Sequence, residues 1–226
     1  MKSIIAIFIF SIPVQLFAQF GISEYYVSAN SSLSIGMNNY TYLSSLNGQS
    51  SEKPTFIQLE LGSGMSTELA LGLKITKNFY AETSVIYMFN RDFYNVNSGN
   101  QTIEQGYSFN RFNIQLNGKH YVEISEALLL DFSIGVAYSI PDELIVKISS
   151  EIETIKYSGT AGFQAGFGFN YLMQSWCLHG GLRYRLERFA MKANQDLPDQ
   201  FKTLNPNLEN ISSSGIDLLI GVQYNF

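Results

Sequence analysis

The sequence is poor in several residue types that usually carry a fold or a chemistry. One cysteine, one tryptophan, two histidines and five prolines are distributed over 226 residues. Cys177 alone cannot close an intramolecular disulfide or build a cysteine-rich metal site. Charged residues make up only 15% of the chain, too few to coat a water-soluble protein of this size in the ordinary way. Basic residues (14) are outnumbered by acidic ones (19), so the chain has no basic footprint for nucleic acid and none is expected as a partner. Past the amino terminus no apolar run approaches the roughly 20 residues of a membrane-spanning helix.

The amino terminus itself is apolar but short. Lys2 precedes the run Ile4 to Phe10, Pro13 and Gln15 interrupt the stretch beyond it, and Ala18 is a small residue before Gln19. Residues 1–18 therefore read as a secretory signal peptide, and residues 19–226 as one exported domain. With no long apolar helix available, a mature chain that enters a bilayer has to do so as a closed barrel. Only helices and barrels satisfy every backbone polar group in hydrocarbon.

What the mature chain does have is alternation. Ile216, Leu218, Ile220, Val222, Tyr224 and Phe226 fall on one face of an extended strand, with Asp217, Leu219, Gly221, Gln223 and Asn225 on the other. Seven earlier segments share this period. Their apolar faces begin with Tyr25, Val27, Ala29, Leu33 and Ile35, and continue in the second segment from Ile57 through Leu59, Leu61, Met65 and Leu69 to Ile75. The third, fourth and fifth are marked by Phe79 to Phe89, by Phe112, Ile114 and Leu116, and by Leu128 to Tyr138. Phe163 to Tyr171 mark the sixth, and Trp176 to Leu186 the seventh. The second segment exceeds the roughly ten residues that a tilted membrane strand needs, so it is expected to project above the membrane or to break near Gly62 and Gly64. Long links alternate strictly with tight turns at Thr76 to Asn78, Ser125 to Ala127 and Gln174 to Ser175. The pattern predicts an all-β fold, an eight-stranded antiparallel up-and-down transmembrane β-barrel with both termini on the periplasmic side.

A soluble barrel places apolar residues inside and polar ones outside. Here the second face carries ions: Glu60, Glu68, Lys74, Glu82, Arg111, Lys119, Glu123, Asp131, Arg183, Arg185, Glu187 and Asp217. Eight strands enclose a space that side chains can fill. A lumen network of Glu82, Arg111, Lys119, Asp131, Arg183, Arg185, Glu187 and Asp217 is expected to plug it. Arg183 and Arg185 would pair with Glu187, Asp217 or Asp131. Gly159, Gly162, Gly166 and Gly168 lack the Lys-Ser/Thr of a phosphate loop and read as small inward residues. His179 has no serine two residues away, and His120 adjoins an interfacial stretch. No catalytic residue, cofactor site or metal site is expected. Of the long links, the first reads as a polar, adaptable tip. The last, with Leu197, Pro198, Phe201, Leu204, Pro206 and Leu208, has the composition of a folded cap or a docking surface.

The terminal Gly-Val-Gln-Tyr-Asn-Phe, the stretch LALGLKITKNFYAETSVIY from Leu69 to Tyr87, and GGLRYRL from Gly180 to Leu186 together resemble the small outer-membrane β-barrels of the OmpA/OmpX-like superfamily. They are similar in particular to the outer membrane beta-barrel domain proteins of Bacteroidetes. The resemblance implies a bacterial outer-membrane address and an assembly signal at Gly221, Val222, Tyr224 and Phe226. It also implies partnership with outer-membrane lipid, with the barrel assembly machinery and, through the loops, with an envelope protein. It specifies fold and address rather than activity. The function expected is a non-enzymatic structural or interaction module, with a small-solute channel or a lipid-modifying enzyme as alternatives.

Overall fold

The computed structural model describes residues 24–43, 56–98, 101–148, 151–193 and 205–226. The expected signal peptide lies outside them, as do Leu197, Pro198, Phe201 and Leu204. In chain order the strands are β1 (Tyr25–Gly36), β2 (Tyr40–Leu43), β3 (Phe56–Leu59), β4 (Gly64–Thr76), β5 (Phe79–Phe89), β6 (Arg91–Ser98), β7 (Gln101–Ser108) and β8 (Arg111–Ser125). They continue as β9 (Leu128–Pro141), β10 (Leu144–Ile148), β11 (Glu151–Ile155), β12 (Thr160–Met173), β13 (Trp176–Leu186), β14 (Arg188–Ala190), β15 (Asn210–Ser212) and β16 (Gly215–Asn225). Among the described residues no helix is long and apolar enough to cross a membrane.

Eight of these strands close on themselves in the order β1-β16-β13-β12-β9-β8-β5-β4, every pairing antiparallel. This is the up-and-down barrel that the alternation predicted, and closure removes every sheet edge. The tight turns join β4 to β5, β8 to β9 and β12 to β13 at one end. Both ends of the described barrel chain lie there too, since Tyr25 pairs with Leu73 and Asn225 with Tyr26. Gln174 takes a left-handed φ of 56° in the last turn.

Parity sorts the side chains. Leu33, Leu218 and Leu182 make one row across three strands, and each is more than half exposed. Ile35 (73%), Met65 (61%), Leu116 (60%), Ile134 (59%) and Ile220 (71%) belong to the same outward belt. An apolar surface of this extent on every strand has no protein core to meet. Near the chain ends the belt turns aromatic: Tyr25 stacks on Phe226 at 4.6 Å, and Tyr224 meets both Phe226 and Trp176 edge-on.

The long links do not behave as simple loops. Among the described residues they and their flanks contribute the remaining eight strands, arranged as a four-stranded sheet β11-β10-β7-β6 and two hairpins, β2-β3 and β14-β15. These enclose a second hydrophobic core of Tyr42, Ile57, Leu59, Leu61, Tyr107, Phe109, Leu144, Val146, Ile155, Tyr157, Phe189, Leu208 and Ile211. All four links supply part of it, so together they fold into one cap at the end opposite the turns. Phe109 stands at its centre, meeting Tyr157 at 5.7 Å and Phe189 at 5.6 Å edge-on. Burial pushes the Tyr107 phenol up to about 12, and raises that of Tyr157 also.

The second segment breaks near Gly62 and Gly64 as expected, but the placement of its first part is corrected. Ile57, Leu59 and Leu61 share the parity of Met65 and Leu69, but they are fully buried in the cap and not on the outer belt. The chain breaks at Glu60 to Ser63, where Ser63 N–H donates to the Glu60 carbonyl at 3.0 Å. It re-enters the barrel through Gly64, whose φ of 133° suits glycine and whose missing Cβ lets the Phe89 carbonyl approach. The first link is corrected as well: in its described part Tyr40 and Tyr42 pack on the cap core instead of standing free in a polar tip. Tyr157 also belongs to that core, and the barrel strand of the sixth segment begins at Thr160.

Candidate functional site

The barrel interior is filled by ions. Glu82, Arg111, Lys119, Asp131, Arg183, Arg185, Glu187 and Asp217 are all buried and inward, each at 9% exposure or less. Glu68 joins them. Glu60 instead sits exposed in the break before β4, and Glu123 is exposed near the β8–β9 turn. Lys74 pairs with Glu24 at the turn-side mouth.

Six of the buried ions form one continuous chain. From the cap downward, Arg111 Nε lies 3.2 Å from Glu187 Oε2, and Glu187 Oε2 is 3.1 Å from Arg185 Nη1. Asp217 Oδ2 then accepts from both Arg185 Nε at 2.8 Å and Arg183 Nε at 3.0 Å. Arg183 Nη1 ends the chain on Glu68 at 2.9 Å. Strand register explains the alternation, because Asp217 is the direct cross-strand neighbour of Arg183 and Ser34. The Ser34 hydroxyl donates to its other oxygen at 2.7 Å. Asn113 and Ser139 donate to Glu187 Oε1 at 3.0 and 2.8 Å. Buried charges survive in a low dielectric only when paired and hydrogen-bonded in this way.

The chain also locks the cap to the barrel. Arg111 Nη1 donates to the Leu61 carbonyl at 2.8 Å and Arg185 Nη2 to the Gly62 carbonyl at 3.3 Å. Ser213 Oγ donates to Leu61 O at 3.0 Å. Gly62 rests so close to β1 that an added Cβ would lie 2.8 Å from Gly36 Cα. The Leu61–Gly62 turn is therefore held over the barrel end by three side-chain donors.

A second set of polar groups occupies the lower lumen. Lys119 Nζ is 2.7 Å from Glu82, which also accepts from the Tyr26 hydroxyl at 2.6 Å and from Asn117 at 3.2 Å. Asp131 does not reach the arginines, contrary to the third pairing expected of it. It accepts from Asn170 Nδ2 at 2.6 Å and lies 3.6 Å from His179 Nδ1. The physical reason is position: Asp131 pairs in register with Gly168, two residues below the Gly166–Arg183 pair. Gly168 makes room for the carboxylate, since a Cβ there would stand 2.6 Å from Asp131 Oδ2. Between the two sets lies a cavity of about 30 Å³, walled by Asn30, Glu68, Lys119, Ser133, Gln164 and Arg183 among others.

The alternation of β1 does not single out Tyr26 as a lumen residue. Its signal is Gly72, an inward glycine in mid-strand whose missing side chain is replaced by the Tyr26 ring. The approach of His179 on β13 to Asp131 on β9, over the intervening β12, is a contact that spacing along the chain does not encode. Among the described residues no group of three or more His, Cys, Asp or Glu side chains is placed to hold a metal ion.

No protein-family model matches this chain, and no curated protein does. Solved structures do. The outer membrane protein OprG of Pseudomonas aeruginosa is 11% identical with a TM-score of 0.57, over 90% of this chain and 95% of that one. A major outer membrane protein of Thermus thermophilus is 12% identical with a TM-score of 0.51, over 89% and 99%. Neisserial surface protein A is 13% identical with a TM-score of 0.49, over 90% and 99%. At such identities the likeness is one of fold: this chain has the fold of the small eight-stranded outer-membrane barrels.

Proposed function

We propose that this protein is a non-enzymatic barrel of the bacterial outer membrane, closed to solutes along its lumen, that presents its folded cap to the outside as a structural and interaction module. The observation that carries the reading is the inversion of the barrel: ions buried within, an apolar belt exposed around every strand. Such a belt is stable in lipid and costly in water. The fold shared with outer-membrane proteins supports the address. In this reading the cap faces the outside and the chain ends face the periplasm. Lipid and the assembly machinery are the partners on the barrel side, with Gly221, Val222, Tyr224 and Phe226 as the assembly signal. An envelope protein is the partner on the cap side.

Closure follows from magnitude. The lumen cavity, with about 30 Å³ open to water, has room for no more than a few water molecules, and the Leu61–Gly62 turn lies above it. The same figure weighs against a lipid-modifying enzyme. Asp131, His179 and Ser133 do share the cavity wall, but no acyl substrate fits there. Planar-bilayer recording of the refolded full chain tests the reading, with electrical silence expected. Steady ohmic steps that change on Arg183→Ala would establish the channel instead.

A further inference from the structure

The lumen charges do not balance evenly along the axis. Arg111, Arg183 and Arg185 face Glu187, Asp217 and Glu68 in the upper set, three cations for three carboxylates. In the lower set Lys119 is committed to Glu82. Asp131, only 2% exposed, has His179 as its one ion-pair partner among the described residues. A carboxylate so deeply buried without a compensating cation is strongly disfavoured.

Asn170 fixes what His179 can do about it. The Asp131 carboxylate only accepts, so the Asn170 amide nitrogen must be the atom that faces it at 2.6 Å. The Asn170 carbonyl oxygen then faces His179 Nδ1 at 3.0 Å, so Nδ1 must carry the hydrogen. Cys177 Sγ donates to that same oxygen at 3.6 Å, which holds the amide in this orientation. Neutral His179 is therefore the Nδ1–H tautomer, and its Nε2 is the position left to receive a proton.

We propose that Asp131, Asn170 and His179 form a proton-binding site in the turn-side half of the lumen, where the imidazole takes one proton from water at Nε2 to balance Asp131. The route is short. Asn170 and Cys177 also line a cavity of about 350 Å³ at the turn-side mouth. With the proton bound, the lower set holds two cations for two carboxylates. Without it, one buried charge is uncompensated and the lower plug is the weaker part of the lumen. Burial opposes the proton first, and Lys119 from β8 and Arg183 from β13 oppose it too, while Glu82 from β5 and Glu68 from β4 act with Asp131 to favour it. Asn30 Oδ1 and Gln164 Oε1 line the small lumen cavity beside His179 without hydrogen-bond partners.

The inference rests on the burial of Asp131 and its contacts with Asn170 and His179, so neither a conducting barrel nor a failed membrane reading would overturn it. The experiment is a nitrogen-15 histidine NMR titration of the refolded full chain in detergent micelles. His120, exposed on the outer face, serves as the internal reference. His179 is expected to gain a proton within the range the micelle sample tolerates, and Asp131→Asn to lower its midpoint by about one pH unit or more. His120 should stay where it was, and Asp131→Glu should restore most of the shift. An unchanged His179 midpoint in Asp131→Asn overturns the site. Should that variant not refold, the wild type decides alone: above its midpoint His179 must show the Nδ1–H tautomer, and an Nε2–H signal or no titration at all refutes the proposal.

Discussion

Barrel and cap are built from the same kind of alternating strand, yet each buries what the other exposes. Leu59 and Leu69 lie on one parity of one sequence segment. The first is fully buried and the second is 49% exposed. In the cap, apolar residues from four links meet one another and water solvates the rest, as in any small soluble domain. In the barrel, the interior is narrow, polar and ionic, so the apolar parity has nowhere to go but out. The difference teaches that alternation reports a two-faced strand, and that the solvent on each side must be inferred from what occupies the other face. The junction between these two regimes is a few residues long: Glu60 to Ser63 break the strand, and Arg111 and Arg185 grip its carbonyls.

The contrast can be broken most forcefully from the ionic side. Glu187→Ala strips Arg111 and Arg185 of a shared carboxylate inside the lumen, and it should cost about 3 to 5 kcal/mol. Urea unfolding of the refolded barrel in vesicles checks this, and a loss below about 1 kcal/mol would show that the lumen is more hydrated than the pairing implies. Phe109→Ala removes a comparable amount, about 3 to 5 kcal/mol, but from the cap. Limited proteolysis should then cut the outer links while the fast-migrating, heat-modifiable barrel band persists. Loss of that band together with the cap would mean that the two cores fold as one unit. The belt offers the smaller test. Leu218→Arg, in the middle of the Leu33–Leu218–Leu182 row, should cost about 2 to 4 kcal/mol in a bilayer, and Gln223→Arg, inward near the turn-side mouth, should be milder. Equal tolerance of both would reverse the assignment of faces.

Much of the candidate site is legible without the fold. Arg183, Arg185, Glu187 and Asp217 sit at alternate positions in the last two segments, and once those strands pair, opposite charges at neighbouring register positions have little choice of partner. Glu82 and Lys119 likewise declare themselves by parity. Asp131 is assigned to the wrong neighbours by parity alone, because its partners, Asn170 and His179, come from two strands whose relative height no local pattern states. Tyr26 escapes notice because a tyrosine beside an outward tyrosine carries no label, and the glycine that accommodates it lies 46 positions further along the chain.

Local sequence by itself determined the number and order of the barrel strands, their turn positions and the identity of the two faces. Each of these depends on the period of two and on connector length, which are properties of a few neighbouring residues. Only the tertiary structure decided that the four long links make one cap, that Ile57, Leu59 and Leu61 belong to it, and that the lumen ions separate into a balanced upper chain and an unbalanced lower set. Those outcomes turn on which distant segments share a core and at what height they meet. Burial and charge pairing settle such questions collectively, because an apolar or ionic side chain gains its stabilisation only from the partners that the closed fold brings to it.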